Sequence, residues 1–317
     1  LSASARERQD TGKFGERRIM IFDSESVFEE NVITVLKQHG WKDGVLRYPT
    51  ERDLLDNWKG ILYRNNNDID RLGKYPLTDG EMTQIIEQIE TLRTPLALNS
   101  FVNGRTVSIT RDNKEDVAHF GKEVSLYIYD RKEIAGGKST YQIAQQPVYP
   151  AKNKMLNSRR GDLVLLINGM PLIHIELKKS GIPVSQATNQ IEKYAHEGVF
   201  TGLFRLVQIF VAMNPDDAVY FANPGVDKFN PSYYFHWADY NNEPICGGQN
   251  PGKDEWKLFI GGTSGTAGLL SIPMAHQLIG FYTIADSADG CLKVLRSYQY
   301  IAANAISDVV RKCDWEQ

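Results

Sequence analysis

The sequence predicts an α/β protein whose core runs helix, three strands, helix, strand, with helical additions around it. Three observations predict it: an amphipathic helical pattern from Glu25, a central strand pair turned at Asn168-Gly169, and a helix followed directly by the apolar run Leu203–Met213. Strand, helix, strand in that order implies a parallel pair joined by a right-handed crossover. Size and composition agree. The 317 residues are about two domains at roughly 150 residues each, and 42% hydrophobic with 24% charged residues supports a folded core and excludes a disordered chain. No apolar run approaches the roughly 18 residues of a membrane span.

Each element has its own signal. The amino end, LSASARERQDTGKFGERR, is charged, lacks the apolar segment of a secretory signal and does not begin with methionine, so it reads as a processed or truncated start. From Glu25 to Gly40, Phe28, Val32, Val35 and Leu36 recur at helical spacing, with Ser24 or Ser26 as cap and Gly40 as stop. A second helix is expected from Thr50 to about Asn65. A third runs from Thr78 to about Leu92, where Thr78 and Glu81 form a capping-box pattern. After Pro95, Val102–Thr110 and Glu123–Asp130 alternate apolar and polar residues as half-buried strands do, so a sheet is expected to begin there. Gly161–Lys179 holds two apolar runs around Asn168-Gly169, a pattern that predicts adjacent antiparallel strands. A helix from about Ser185 to His196 stops before Gly198, and Leu203–Met213 suits a central strand buried on both faces. Asn214–Gly265, rich in Asn, Pro, Gly and Tyr, reads as irregular and leads to a domain boundary. The first domain is then 1–265, and 266–317 carries two helical patterns that do not complete the sheet.

Net charge is 36 minus 39, or −3, which argues against a protein that coats nucleic acid over its whole surface and leaves room for a local basic channel. Lys152, Lys154, Arg159, Arg160, Lys178 and Lys179 form such a cluster. Cys246, Cys291 and Cys313 are odd in number and widely spaced, so neither a disulfide framework nor a zinc site is indicated, and a reducing, cytoplasmic setting is expected.

The chemistry concentrates in the hairpin. Alternation puts His174, Glu176 and Lys178 on one strand face and Ile173, Ile175 and Leu177 on the other. Charges in the middle of a sheet core are costly, so this face is either wet or holds something that compensates them. Asp162, opening the preceding strand, is the natural third member. Two carboxylates converging from neighbouring strands make an all-oxygen site suited to Mg²⁺, and an ammonium alongside suits phosphodiester hydrolysis. Register tests the idea. A regular two-residue turn at Asn168-Gly169 places Asp162 opposite Ile175, on the wrong face; an odd-length turn or a bulge brings it beside Glu176. The following helix adds Gln190 and Tyr194, one turn apart on one face.

Asp162, Glu176-Leu-Lys178, Gln190 and Tyr194, at this spacing, resemble the PD-(D/E)xK restriction-endonuclease-like core in the variant found in the R subunit of type I restriction-modification enzymes. "GDLVLLINGMPLIHIELKK" and "QATNQIEKY" are similar to that family's metal hairpin and the helix after it. The resemblance implies Asp162 and Glu176 as Mg²⁺ ligands, Lys178 as the catalytic lysine, and Gln190 with Tyr194 as an auxiliary motif needed for cleavage. It also implies a metal-approaching glutamate on the first helix: Glu29, with Glu30 and Glu25 as rivals. Gly161 stands where the motif has proline, and of Lys178-Lys179 only the first faces the site. LRSYQYIAANAI resembles the opening of a RecA-like motor domain, with Gln299 similar to the glutamine that reads adenine of ATP, so ATP would act only through a downstream motor. Gly137-Lys138-Ser139 is a partial phosphate-loop match that reads as a loop, and GGTSGTAG from Gly261 reads as a flexible connector. The implied function is Mg²⁺-dependent cleavage of double-stranded DNA within a complex with methyltransferase and specificity subunits. A stand-alone repair or recombination nuclease and a non-catalytic docking module are the alternatives.

Overall fold

The computed structural model describes residues 5–10, 17–134, 136–150, 159–248, 254–288 and 290–313. Lys152 and Lys154 of the expected basic cluster lie outside them. The chain opens with an antiparallel pair, β1 (Ala5–Asp10) and β2 (Arg17–Phe22). Helix α1 (Glu25–Gln38) begins where the Ser24 side chain accepts from the Val27 N–H, and it buries Phe28, Val32, Ile33 and Leu36 together with Glu29. The short strand β3 (Val45–Arg47) follows, then α2 (Glu51–Asn65) and α3 (Asp79–Thr91). Both helices start from complete capping boxes, Thr50 with Asp53 and Thr78 with Glu81, the second as its sequence pattern predicts.

Val102–Thr110 is not one strand. Helix α4 (Pro95–Asn103) runs into it, because Thr94 caps and Pro95 fills the first turn, where a missing N–H costs nothing. Only Thr106–Thr110 (β4) is extended, and it pairs with β5 (Glu123–Tyr127) in a separate two-stranded sheet. The expectation that the main sheet begins here is therefore wrong. Its next strands are β6 (Tyr141–Gln145), β7 (Leu163–Ile167) and β8 (Met170–Leu177), an antiparallel meander. Helix α5 (Val184–His196) then leads to β9 (Ile209–Met213), parallel to β8, and β10 (Ala218–Ala222) returns antiparallel. The mixed sheet has the order β10-β9-β8-β7-β6-β3. Helix, three strands, helix, strand is thus present, with β6 as the first strand in place of Glu123–Asp130. The front of the run Leu203–Met213 forms a 3₁₀ turn, Gly202–Leu206, and the strand that follows is buried on both faces.

One sheet face, with Ile173, Ile175, Leu177, Val211 and Met213, enters the main core; the other, with Phe210, Ala212 and Phe221, is covered by Ala187 and Ile191 of α5. The chain continues with α6 (Glu255–Gly261), α7 (Met274–Phe281), β11 (Thr283–Asp286), β12 (Cys291–Val294) and α8 (Ser297–Lys312). The glycine run after Gly261 is a tight bridge and no loose connector: Gly262 pairs with Ala267, and a Cβ at Gly268 would fall 2.3 Å from the Ile260 carbonyl oxygen. Leu269, Leu270, Met274, Leu278, Leu292 and Val294 join the main core, which therefore runs unbroken past residue 265. Among the described residues no two cysteines are joined in a disulfide. Among the described residues no helix is long and apolar enough to cross a membrane.

Candidate active site

The hairpin decides the geometry. Asn168 (φ 53°) and Gly169 (φ 84°) are both left-handed, as a two-residue type I′ turn requires. Ile167 opposes Met170 and Leu166 opposes Pro171, the register that alone would misdirect Asp162. Between Leu165 and Leu166 the pairing slips by one: Leu165 opposes Ile173, and Leu163 opposes Ile175. Leu172 is the extra residue of a β-bulge, and continuing the shifted register sets Asp162 level with Glu176. The bulge that the chemistry demanded is there.

Asp162 anchors to its neighbour, accepting the Leu177 N–H on Oδ2 at 2.7 Å. Glu176 is fully buried, yet neither of its oxygens has a hydrogen bond. Near its oxygens lie the neutral imidazole of His174, Nε2 at 3.3 Å, and the ammonium of Lys178 at 3.6 Å. Burial pushes both carboxyls up to about 8; the neighbouring Glu176 raises Asp162 further, while Lys178 offsets part of the rise at Glu176. A half-buried carboxyl and a fully buried one are thus set side by side with few donors.

The three glutamates proposed for α1 go to different places. Glu29 is buried, accepts from Gln145 Nε2 at 2.5 Å and from Gln146 Nε2 at 3.2 Å, and is pushed up to about 7 by burial, with Asp162 adding to the rise. Glu30 turns outward to Arg47, 2.7 Å away. Glu25 reaches Lys178 at 3.7 Å. Gln146 has left-handed φ (46°), and its N–H bonds the Asp162 carbonyl at 2.7 Å. A non-glycine residue in that conformation beside the site is held there by its surroundings.

Lys178 lies in the site with its ammonium on the Leu177 carbonyl (2.9 Å) and between two carboxylates, while Lys179 is exposed on the other side, as alternation predicts. Gln190 Nε2 donates to the Tyr194 hydroxyl (2.7 Å), which donates to the carbonyl of Arg160 (2.9 Å). The pair on α5 therefore pins the backbone two residues before Asp162. Arg159 is paired with Glu197 through two bonds, 2.8 and 2.9 Å. Gln299 is remote from this cluster: its Oε1 accepts the Arg296 N–H, and it lines a cavity of about 390 Å³ with Tyr233, Phe235, Lys293, Arg296 and Tyr298. Sequence reasoning missed Gln145 and Gln146, which hold Glu29, because it missed β6. It also missed Tyr149, whose hydroxyl lies 2.8 Å from His174 Nδ1 and which no periodic pattern marks.

Among the described residues no three His, Cys, Asp or Glu side chains gather closely enough to cage a metal by themselves. The donor set nevertheless fits a hard cation that brings most of its own water, since Mg²⁺ is commonly bound through one or two carboxylates. The oxygens of Glu176, which no aligned donor satisfies, are free to take such a cation.

Comparison with known proteins shows the family. The family described as Type I restriction enzyme R protein N terminus matches residues 23–229. The chain is similar to the endonuclease subunit of the type I restriction enzyme SsaAORF53P of Staphylococcus saprophyticus, 29% identical over 295 residues, which are 90% of this chain and 27% of that protein. It is likewise 29% identical to the SauMSSORF170P endonuclease subunit of Staphylococcus aureus over 289 residues, 90% of the chain and 27% of the relative. The EcoprrI endonuclease subunit of Escherichia coli is 28% identical over 296 residues, 90% of the chain and 82% of the relative. The chain thus spans about a quarter of the length of the staphylococcal relatives.

Proposed function

Because the chain belongs to the family of type I restriction enzyme R protein N termini, we propose that it is the DNA-cleaving module of such a subunit, built on a PD-(D/E)xK core formed by α1, β6 to β8, α5 and β9. The observation that carries the proposal is the bulge at Leu165/Leu166, which sets Asp162 level with the unpartnered carboxylate of Glu176. Mg²⁺ held by Asp162 and Glu176 would supply Lewis-acid polarisation of a phosphate oxygen and a more acidic water. Glu29, held by Gln145 and Gln146, would add its carboxylate to that side of the site. Lys178 supplies a fixed positive charge against the negative charge that develops on the phosphate. Gln190 and Tyr194 hold the Arg160 carbonyl and so fix the approach to Asp162.

Double-stranded DNA is the substrate on this reading, and methyltransferase and specificity subunits supply the recognition that this chain does not. Residues 266–317 would lead into the first RecA-like motor domain. The aromatic walls and cations around Gln299 support adenine of ATP as what that amide meets once the motor is complete. Calorimetric titration of Mg²⁺ or Mn²⁺ into the folded chain tests the site directly. Saturable binding that is lost in both Asp162→Asn and Glu176→Gln is expected. Equal binding in all three proteins, or none even with a short DNA duplex present, would favour a docking module.

A further inference from the structure

His174 sits behind Glu176 in an arrangement the cleavage reaction does not by itself require. It is completely buried, with Nδ1 2.8 Å from the Tyr149 hydroxyl and Nε2 3.3 Å from Glu176 Oε2, the latter without an aligned hydrogen-bond partner. Phe200 and Phe210 meet the imidazole edge to face, with centroids 5.5 and 6.0 Å away, so the ring has little freedom to turn. In a neutral imidazole one nitrogen donates and the other accepts. Once Glu176 is ionised, as a metal ligand is, a proton on Nδ1 would aim the Nε2 lone pair at the lone pairs of the carboxylate; a proton on Nε2 makes that contact attractive and leaves Nδ1 to accept from Tyr149. Tyr149 is fully buried, which keeps its hydroxyl protonated and able to donate.

A second observation shows that room is kept for this pair. A Cβ on Gly161 would lie 2.5 Å from the Tyr149 hydroxyl oxygen and 2.8 Å from His174 Cε1. The residue before Asp162 must therefore lack a side chain for Tyr149 and His174 to meet, which accounts for glycine where the motif has proline.

We infer that His174 is a positioning residue for Glu176: Tyr149 donates to Nδ1, and Nε2–H holds Oε2, leaving Oε1 turned to the metal. The inference rests on the two-carboxylate reading. Its effect is on affinity, because an outer partner that orients a ligand typically changes metal binding about 10-fold to 100-fold.

The test uses the 317-residue protein with ¹⁵N-labelled histidine and Mg²⁺ calorimetry. His174→Phe, matched in size but without a donor, should weaken Mg²⁺ binding about tenfold; Tyr149→Phe should do so by less, and His174→Gln, which restores an N–H, should recover most of the loss. With Mg²⁺ bound, the His174 ¹⁵N signals should show the proton on Nε2. Unchanged affinity in folded His174→Phe, a proton on Nδ1, or nitrogen hyperfine coupling to Mn²⁺ showing direct ligation would overturn the inference. Asp162→Asn still abolishing binding would leave the two-carboxylate site standing in each of those cases, whereas no binding by the parent overturns both. Should His174→Phe fail to fold, the proton position in the parent decides alone.

Discussion

Glu176 is buried with Asp162 half-buried beside it, and the nearby ammonium, Lys178, is itself shared with Glu25. Without metal, burial pushes both carboxyls up to about 8 in the folded protein, against about 4 in the unfolded chain. Between those values the folded protein retains protons that the unfolded chain has released. These groups therefore stabilise most below about pH 4, and their contribution is lost progressively as pH rises to about 8. Isosteric amides remove that dependence. In metal-free buffer, Glu176→Gln should melt about 2–5 °C above the parent at pH 8, with the gap closing by pH 5; an equal gap at both values would contradict the buried, protonated pair. Divalent metal should stabilise the parent and not the amide variants, since only the parent offers both carboxylates. At this scale alternation and spacing pointed to Asp162, Glu176, Lys178, Gln190 and Tyr194, which the fold gathers around the end of the hairpin. It could not separate Glu25, Glu29 and Glu30, because their neighbours on β3, β6 and β8 come from distant parts of the chain.

The hairpin shows what one extra residue does. Asn168-Gly169 forms the turn its sequence announces, and Leu172 then reverses the facing of everything beyond it. Gly169 cannot be replaced cheaply, as its φ is +84° and a Cβ would lie 2.8 Å from the Trp58 Cα. Gly169→Ala should cost about 1–3 kcal/mol in urea unfolding, with metal affinity unchanged where the protein is folded; a loss under 0.5 kcal/mol by the same measure would show that α2 yields to the turn. Helices with caps and periodic faces were legible from sequence. Strands β3, β6 and β10 were not, for three reasons. The first is three residues long, the second buries the glutamines Gln142 and Gln145 within its apolar run, and the third lies in a stretch whose composition suggests a loop.

Across the whole molecule, the segment after residue 265 is part of the fold. The Trp41 indole donates to the Leu270 carbonyl at 2.6 Å, and the Tyr141 hydroxyl meets His276 Nδ1 at 2.9 Å. A chain ending at 265 would strip Leu269, Leu270, Met274 and Leu278 from the core, and it should aggregate or unfold without a cooperative transition, as circular dichroism and size exclusion would show. A cooperative melt like the parent's would mean that the core closes without them. Sequence reading placed a boundary here because it judged continuity by strand patterns, whereas the link is made by side chains meeting across distant segments. Strand β6 is gripped at Tyr141 by the segment around His276 and ends at Gln145, which holds Glu29. Its span is about 13 Å of extended backbone, hydrogen-bonded on both sides. Such a strand is a stiff tie-rod, with the carboxyl-terminal segment fixed at one end and the glutamate beside the carboxylates at the other.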